Sequence, residues 1–149
     1  MKKIIYCLLA VVMLSACGND ANKKQVGDFI EVNGVKGIVF EVSDDGQHGK
    51  VMSISQTECD WYDAKTWCAT LGQGWKLPTK DELLVIYSKK SVVNSVLSAN
   101  GYQLVHENAC YWSSDKETDG YMWIVSMENG ETDGEGKNNF DYVRAVASF

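Results

Sequence analysis

The order in which the hydrophobic period changes along this chain constrains its fold more than any other feature. β-prone runs come first, Val35, Ile38, Val39, Phe40 and Val42 and then Val51, Met52 and Ile54, separated by the turn-rich residues 43–49. That pattern predicts a hairpin. Trp61, Ala64, Cys68 and Leu71 then recur at helical spacing, with Asp60 placed as N-cap and Gly72 where a helix ends, which predicts a first helix. Thr79 followed three residues later by Glu82 is a capping box, and Leu83, Leu84, Ile86 and Tyr87 continue from it as a second helix whose start is set by Pro78, the chain's one proline. A third, shorter helix is predicted over residues 91–99, closed by Asn100-Gly101. The rest is β-like: Cys110-Tyr111-Trp112, residues 121–127 and residues 140–146, with Asn129-Gly130 and a loop rich in Gly, Asp and Glu between the last two. Strands, then two to three short helices, then strands is an α+β order built on antiparallel sheets, and it disfavours a parallel βαβ sheet.

The first residues have a different character. Met1, Lys2 and Lys3 precede an apolar stretch from Ile4 to Met13, and Leu14-Ser15-Ala16-Cys17 follows. A basic start, a short apolar core and small residues before a cleavage point are the layout of a secretory signal. The apolar stretch falls well short of the roughly 20 residues a membrane-spanning helix needs. Its last four residues resemble the lipobox of bacterial lipoproteins. That resemblance implies cleavage before Cys17, a diacylglycerol on its thiol and an acyl chain such as palmitate on its new amino group. Several acyl chains on one residue anchor a protein durably. The chain is therefore expected at a bacterial cell envelope, held by lipid, with the outer membrane or cell surface favoured over the inner membrane.

Export changes the meaning of the five cysteines, because an oxidising compartment permits disulfides. Cys7 leaves with the signal and Cys17 is committed to lipid, so Cys59, Cys68 and Cys110 remain, enough for one disulfide and one free thiol in three possible pairings. Cys59 and Cys68 are nine apart and fall on opposite sides of a continuous helix, so they can bridge only if Cys59 precedes the helix. Removing 17 of 149 residues leaves 132, the length of one domain. The mature part keeps 12 of 14 basic residues and all 20 acidic ones, a formal net charge of −8. With Arg144 as its single arginine, such a surface excludes nucleic acid as a partner class. The polar stretch from Gly18 to about Gln25 reads as a tether, and residues 18–33 as tether and lead-in to a domain over residues 34–149.

Three motifs carry a wider resemblance: Gly74-Trp75-Lys76-Leu77-Pro78-Thr79-Lys80-Asp81-Glu82-Leu83, then Tyr111-Trp112-Ser113-Ser114, then Tyr142-Val143-Arg144-Ala145-Val146. In order and spacing they resemble the bacterial major paralogous domain proteins (FISUMP-like), secreted or lipid-anchored modules whose fold is similar to C-type lectins and to formylglycine-generating enzymes. The resemblance implies a C-type-lectin-like domain with two helices flanking antiparallel sheets and with its N- and C-terminal strands paired. The residues have their own account beside it. Trp75 and Leu77 bury while Pro78 and Thr79 start a helix; Tyr111, Trp112, Trp123 and Tyr142 fit the faces of sheet strands; Arg144 is expected to pair with Glu82 or Asp141.

Chemistry is sparse. The calcium-dependent lectin site needs a proline-containing carbohydrate loop, and the one proline here starts a helix. Asp115 to Gly120 and Glu131 to Gly136 each resemble the first half of an EF-hand loop, but their twelfth positions are Ser126 and Tyr142, so neither supplies the closing glutamate. Both read as solvated acidic loops, and no metal or cofactor is expected. Formylglycine-generating enzymes use a close cysteine pair, whereas Cys110 is the only cysteine in the last third. His106 and Cys110 form a conceivable nucleophile pair with nothing to orient it, and His48 lies in a turn cluster. The expected function is a non-enzymatic module recognising a glycan or an envelope protein, with a degenerate enzyme ranked last. The alternative is a structural or adhesive subunit of an envelope or appendage assembly. Ligand-bearing loops are expected at residues 115–121 and 130–139, with Tyr121 as the aromatic contact.

Overall fold

A computed structural model describes residues 22–149; the leader, Cys7 and the lipobox cysteine Cys17 lie outside the described residues. The order is β1 (Phe29–Val32), β2 (Val35–Val42), β3 (Gly49–Ser53), β4 (Thr57–Cys59), α1 (Trp61–Leu71), α2 (Lys80–Ala99), β5 (Cys110–Thr118), β6 (Tyr121–Ser126), β7 (Thr132–Gly136), β8 (Asp141–Val143) and β9 (Val146–Ser148). One sheet has the order β1-β2-β3-β9 and the other β4-β8-β5-β6-β7, all antiparallel apart from a parallel contact of Tyr111 with Tyr142. The α+β class is as the periodicity predicts. No helix among the described residues is long and apolar enough to cross a membrane.

Period-two alternation divides the core in two. Ile38, Phe40, Met52, Tyr111 and Val125 face α2, where Leu83, Ile86, Val93 and Leu97 meet them. Their chain neighbours Val39, Val51, Trp112 and Ile124 face the other way, onto Ala64 and Cys68 of α1 and onto Trp75 and Leu77. Both faces of both sheets are therefore covered, which is why so many strand residues are apolar on consecutive positions. Trp75 and Trp112 are core residues, and each indole N–H donates to a backbone carbonyl, Trp75 to Val32 and Trp112 to Cys59.

Asp60 caps α1 by accepting from the Asp63 N–H, and Thr79 and Glu82 form the reciprocal capping box of α2. The third helix does not exist separately; α2 runs unbroken for 20 residues. Its inward stripe is Leu83, Ile86, Lys90, Val93 and Leu97, and the lysine in the middle hides the continuity. Lys90 lays its apolar stem along the core edge and sends its ammonium to the Met127 carbonyl, so a charged residue occupies a core-facing position.

Three short strands escape the sequence pattern, β1, β4 and β7, and the predicted final strand divides into β8 and β9. β1 and the docked residues before it correct the tether: the Lys24 N–H donates to Gly46 and the Gly27 N–H to Val39, so the lead-in is pinned from residue 24. β9 joins the N-terminal sheet through β3, not through the first strand.

The division of the last strand reflects a seam shared by both sheets. Lys50, Val51 and Met52 pair with Ser148, Ala147 and Val146, the Ser53 N–H donates to Ala145, and Thr57, Glu58 and Cys59 pair with Val143, Tyr142 and Asp141. At the break in this ladder sits Arg144, 1% exposed. It pairs with neither Glu82 nor Asp141: its guanidinium donates to the carbonyls of Ser53 (2.8 Å) and Gln103 and to Gln56 Oε1 (3.1 Å). Glu82 is engaged instead by the Thr79 N–H, Lys76 and Lys50. Burial pulls Arg144 down to about 10, so it stays cationic at neutral pH. Arg144→Met keeps the stem but takes the guanidinium from the Ser53 and Gln103 carbonyls, while Gln56 Oε1 keeps the Tyr111 hydroxyl. Urea unfolding should show a loss of about 3 kcal/mol or more, and a loss under about 1 kcal/mol would remove the guanidinium from this role.

Candidate functional site

Exposed aromatic rings, amides and carboxylates converge at the outer end of β6 and β7. β5 and β6 are joined by the two-residue turn Asp119-Gly120, with Thr118 opposite Tyr121 and Gly120 at φ +86°, a conformation glycine takes without strain. The turn places Tyr121 at the hairpin tip, 49% exposed. On one side lies a cleft of about 440 Å³ lined by Tyr62 from α1, Gly120, Glu135 and Lys137 to Asn139. On the other side a cleft of about 290 Å³ is lined by Glu117, Thr118, Trp123, Asp133 and Gly134. Tyr121 is the wall between them and belongs to both. Both loops singled out in the sequence thus meet at the residue singled out with them.

Their conformation differs from expectation. Most of 115–120 belongs to β5 and most of 131–136 to β7, so neither acidic segment curls as an EF-hand loop does. Asp115 is committed to α2, its Oδ2 accepting from the Lys80 N–H at 2.7 Å, and Asp119 pairs with Lys116. Among the described residues no group of three or more His, Cys, Asp and Glu is placed to hold a metal ion. Glu117, Asp133 and Glu135 have no ion-pair partner among the described residues and border the clefts. Lysines lie over the neighbouring rings, Lys80 4.2 Å from the Trp123 centroid and Lys137 4.9 Å from Trp61 and 5.9 Å from Tyr62. Tyr121 is a cleft ring with no such cation over it.

Lys137, Asn138 and Asn139 fall in the expected 130–139 loop, whereas Tyr62 and Trp123 were not legible as site residues. Tyr62 comes from a helix almost 60 residues away in the chain, and Trp123 reads as an ordinary strand aromatic. The usable signal was Asp119-Gly120 between two β-prone runs, a hairpin signature that makes the following Tyr121 a tip residue.

The cysteines and histidines are arranged otherwise. Cys59, Cys68 and Cys110 are all free thiols, which corrects the expected disulfide. Cys59 does precede the helix, in β4, while Cys110 is in β5, and β8 runs between those two strands. Two strand spacings are roughly 9.5 Å, beyond the roughly 7 Å a disulfide allows between Cα atoms. Cys68 is fully buried in α1, and burial drives its thiol up to about 12. His106 stacks on Tyr142, ring centroids 4.5 Å apart, and its backbone N–H meets the Tyr111 hydroxyl. Burial and then Asp141, Glu135 and Asp133 raise the Cys110 thiol, the opposite of what activates a nucleophile. His48 stays in the 43–49 turn, where its carbonyl accepts from the Ser43 N–H and hydroxyl.

A family model for the Lcl C-terminal domain matches residues 35–147. The chain belongs to the Lcl C-terminal domain family. Within the Lcl C-terminal domain, all three motifs and both clefts fall inside the matched span. No curated protein matches the chain. Among solved structures that match is the crystal structure of botrocetin, 15% identical, covering 66% of this chain and 90% of that one with a TM-score of 0.41.

Asp141 gives this Lcl C-terminal domain a pH signature. Burial first, then Glu135 and Glu58, raise its carboxyl from the ordinary 3.8 to about 7. A folded-state value above the unfolded one means the folded protein holds the proton longer. Stability from this group is therefore full below about 4 and declines as pH rises towards 7. Asp141→Asn should remove that decline. Denaturation midpoints from pH 4 to 8 should show the variant gaining on the parent as pH rises, and parallel curves would refute the shift.

Proposed function

We propose that the chain is an exported, lipid-anchored binding module that recognises a glycan at the cell envelope through the Tyr121 face. The observation that carries this reading is Tyr121 itself, half exposed between two clefts that offer hydroxyl, amide and carboxylate groups. An uncovered aromatic face stacks on the C–H face of a sugar ring, while Asn138, Asn139 and Glu135 line one flanking cleft and Thr118 the other, offering amide, carboxylate and hydroxyl groups to a sugar's hydroxyls. Three carboxylates without ion-pair partners repel a polyanion, so the favoured ligands are neutral or amine-bearing sugars. The lipobox at Cys17 and the resemblance to major paralogous domain proteins, with their C-type-lectin-like fold, support the envelope location and the binding role. No residue of the face is given a catalytic part, and no cofactor enters the reading.

Phe140, 66% exposed beside this face, supports a second reading in which the module packs on another envelope protein as a structural or adhesive subunit.

A glycan array probed with the whole mature chain, with and without calcium, tests the first reading. Calcium-independent binding that falls at least about tenfold on Tyr121→Ala (roughly 1.4 kcal/mol) is the expected result. A blank array, or binding indifferent to Tyr121→Ala, would overturn it and leave the protein-partner reading.

A further inference from the structure

We infer that the domain stands on its membrane with the 43–49 turn towards the lipid headgroups and the Tyr121 clefts at the opposite pole. The inference rests on lipid at Cys17, as proposed above, and adds an orientation that the anchor alone does not supply.

Two distances carry it. The first is the reach of the linker. Only five residue steps separate Cys17 from Asn22, and five steps span at most about 17 Å. The chain beyond them is docked: the Lys24 N–H donates to the Gly46 carbonyl, and the Gln47 side chain reaches the Asn22 carbonyl at 3.5 Å. Gly46 also abuts Lys23, where an added Cβ would lie 2.8 Å from the lysine Cβ. The lipid is therefore leashed to the pole formed by residues 22–24 and the 43–49 turn.

The second distance is the length of the seam. Gly49 and Phe149 exchange backbone hydrogen bonds beside that turn, and the ladder runs from Lys50 and Ser148 to Cys59 and Asp141. Seven steps from Ser148 to Asp141 cover up to about 23 Å. Where the seam ends the ligand face begins: the Trp61 N–H donates to Lys137, and the Lys137 N–H to Gly120, the neighbour of Tyr121. A domain of this size has a diameter of roughly 35 Å, so a 17 Å leash lets it tilt but not invert.

Charge acts in the same direction. Lys23, Lys24 and His48 stand at the leashed pole with Asp44, Asp45 and the Lys50–Glu41 pair, whereas Glu117, Asp119, Asp133 and Glu135 outnumber Lys80, Lys116 and Lys137 at the far pole. An anionic headgroup surface repels the second set more strongly than the first.

The test uses the full chain, expressed with its leader in a lipidating bacterial host and reconstituted into phosphatidylcholine–phosphatidylglycerol vesicles carrying headgroup nitroxides. Asp45→Cys and Asp119→Cys variants are labelled briefly with a fluorophore at neutral pH, where the native thiols react slowly, with the parent as blank. Quenching at position 45 should exceed that at position 119 at least about threefold, given the difference in depth. Inserting about 20 Gly and Ser residues after Cys17, which extends the leash by roughly 25 Å, should erase the difference. Equal or reversed quenching in a chain that floats with the vesicles would overturn the orientation while leaving the anchor intact. A chain that fails to float, or a Cys17→Ala variant that still floats, would overturn the anchor and the orientation with it. A difference that survives the insertion would overturn the leash as its cause.

Discussion

One buried guanidinium sits at the point on which both sheets depend. The chain crosses from the N-terminal sheet to the C-terminal one twice, once between β3 and β4 and once, in reverse, between β8 and β9. The two crossings lie side by side, and the ladder that joins them is interrupted there. Arg144 fills the interruption, with Ser53 on one strand, Gln56 just past it and Gln103 from the segment after α2 as its acceptors. The Tyr111 hydroxyl donates to the same Gln56 oxygen at 2.8 Å, which draws β5 into the junction. A cation held by neutral acceptors has no carboxylate to compensate its desolvation, so its worth lies in geometry: the planar fork holds three separate segments at fixed angles.

From this corner the remaining structure follows by alternation. β2, β3, β5 and β6 divide their residues between the α1 core and the α2 core, and the two helices reach the sheets from opposite sides. Glu82 ties the α2 core to the seam, since the carboxylate that closes the capping box also receives Lys76 and Lys50. The capping interaction and its neighbours hold Glu82 below the usual carboxylate range despite the opposing effect of burial. Asp141 has no such company. Burial first, and then Glu135 and Glu58, which the sheet brings near it from β7 and β4, raise its carboxyl.

The Tyr121 face is made of what this framework leaves uncovered. The start of α2 reaches β5 and β6 through Lys80, which donates to Asp115 and lies over Trp123, and α1 contributes Tyr62, but neither helix covers Tyr121. Tyr121 emerges there as a ring without a core. The same framework sets the 43–49 turn and the clefts at the two ends of one ladder.

The sequence alone determined the features whose causes are local. The N-cap of α1, the capping box of α2, the first hairpin, the α+β order, the burial of Trp75, Leu77 and Trp112, and the position of Tyr121 on a loop-like tip all follow from spacing and side-chain chemistry within a few residues. The continuity of α2 was illegible because Lys90 occupies a core-facing position, and whether an ammonium there finds the Met127 carbonyl depends on the turn after β6, 37 residues away. β1, β4 and β7 were illegible because three to five residues carry too little periodicity, and their partners lie elsewhere in the chain. Only the tertiary structure decided Arg144's acceptors, the separation of Cys59 from Cys110 by β8, the elevated Asp141 and the meeting of Tyr62 with Tyr121. Each of these is a distance between residues remote in sequence, and such distances are set by how strands pair and cross, which side-chain pattern constrains only in part.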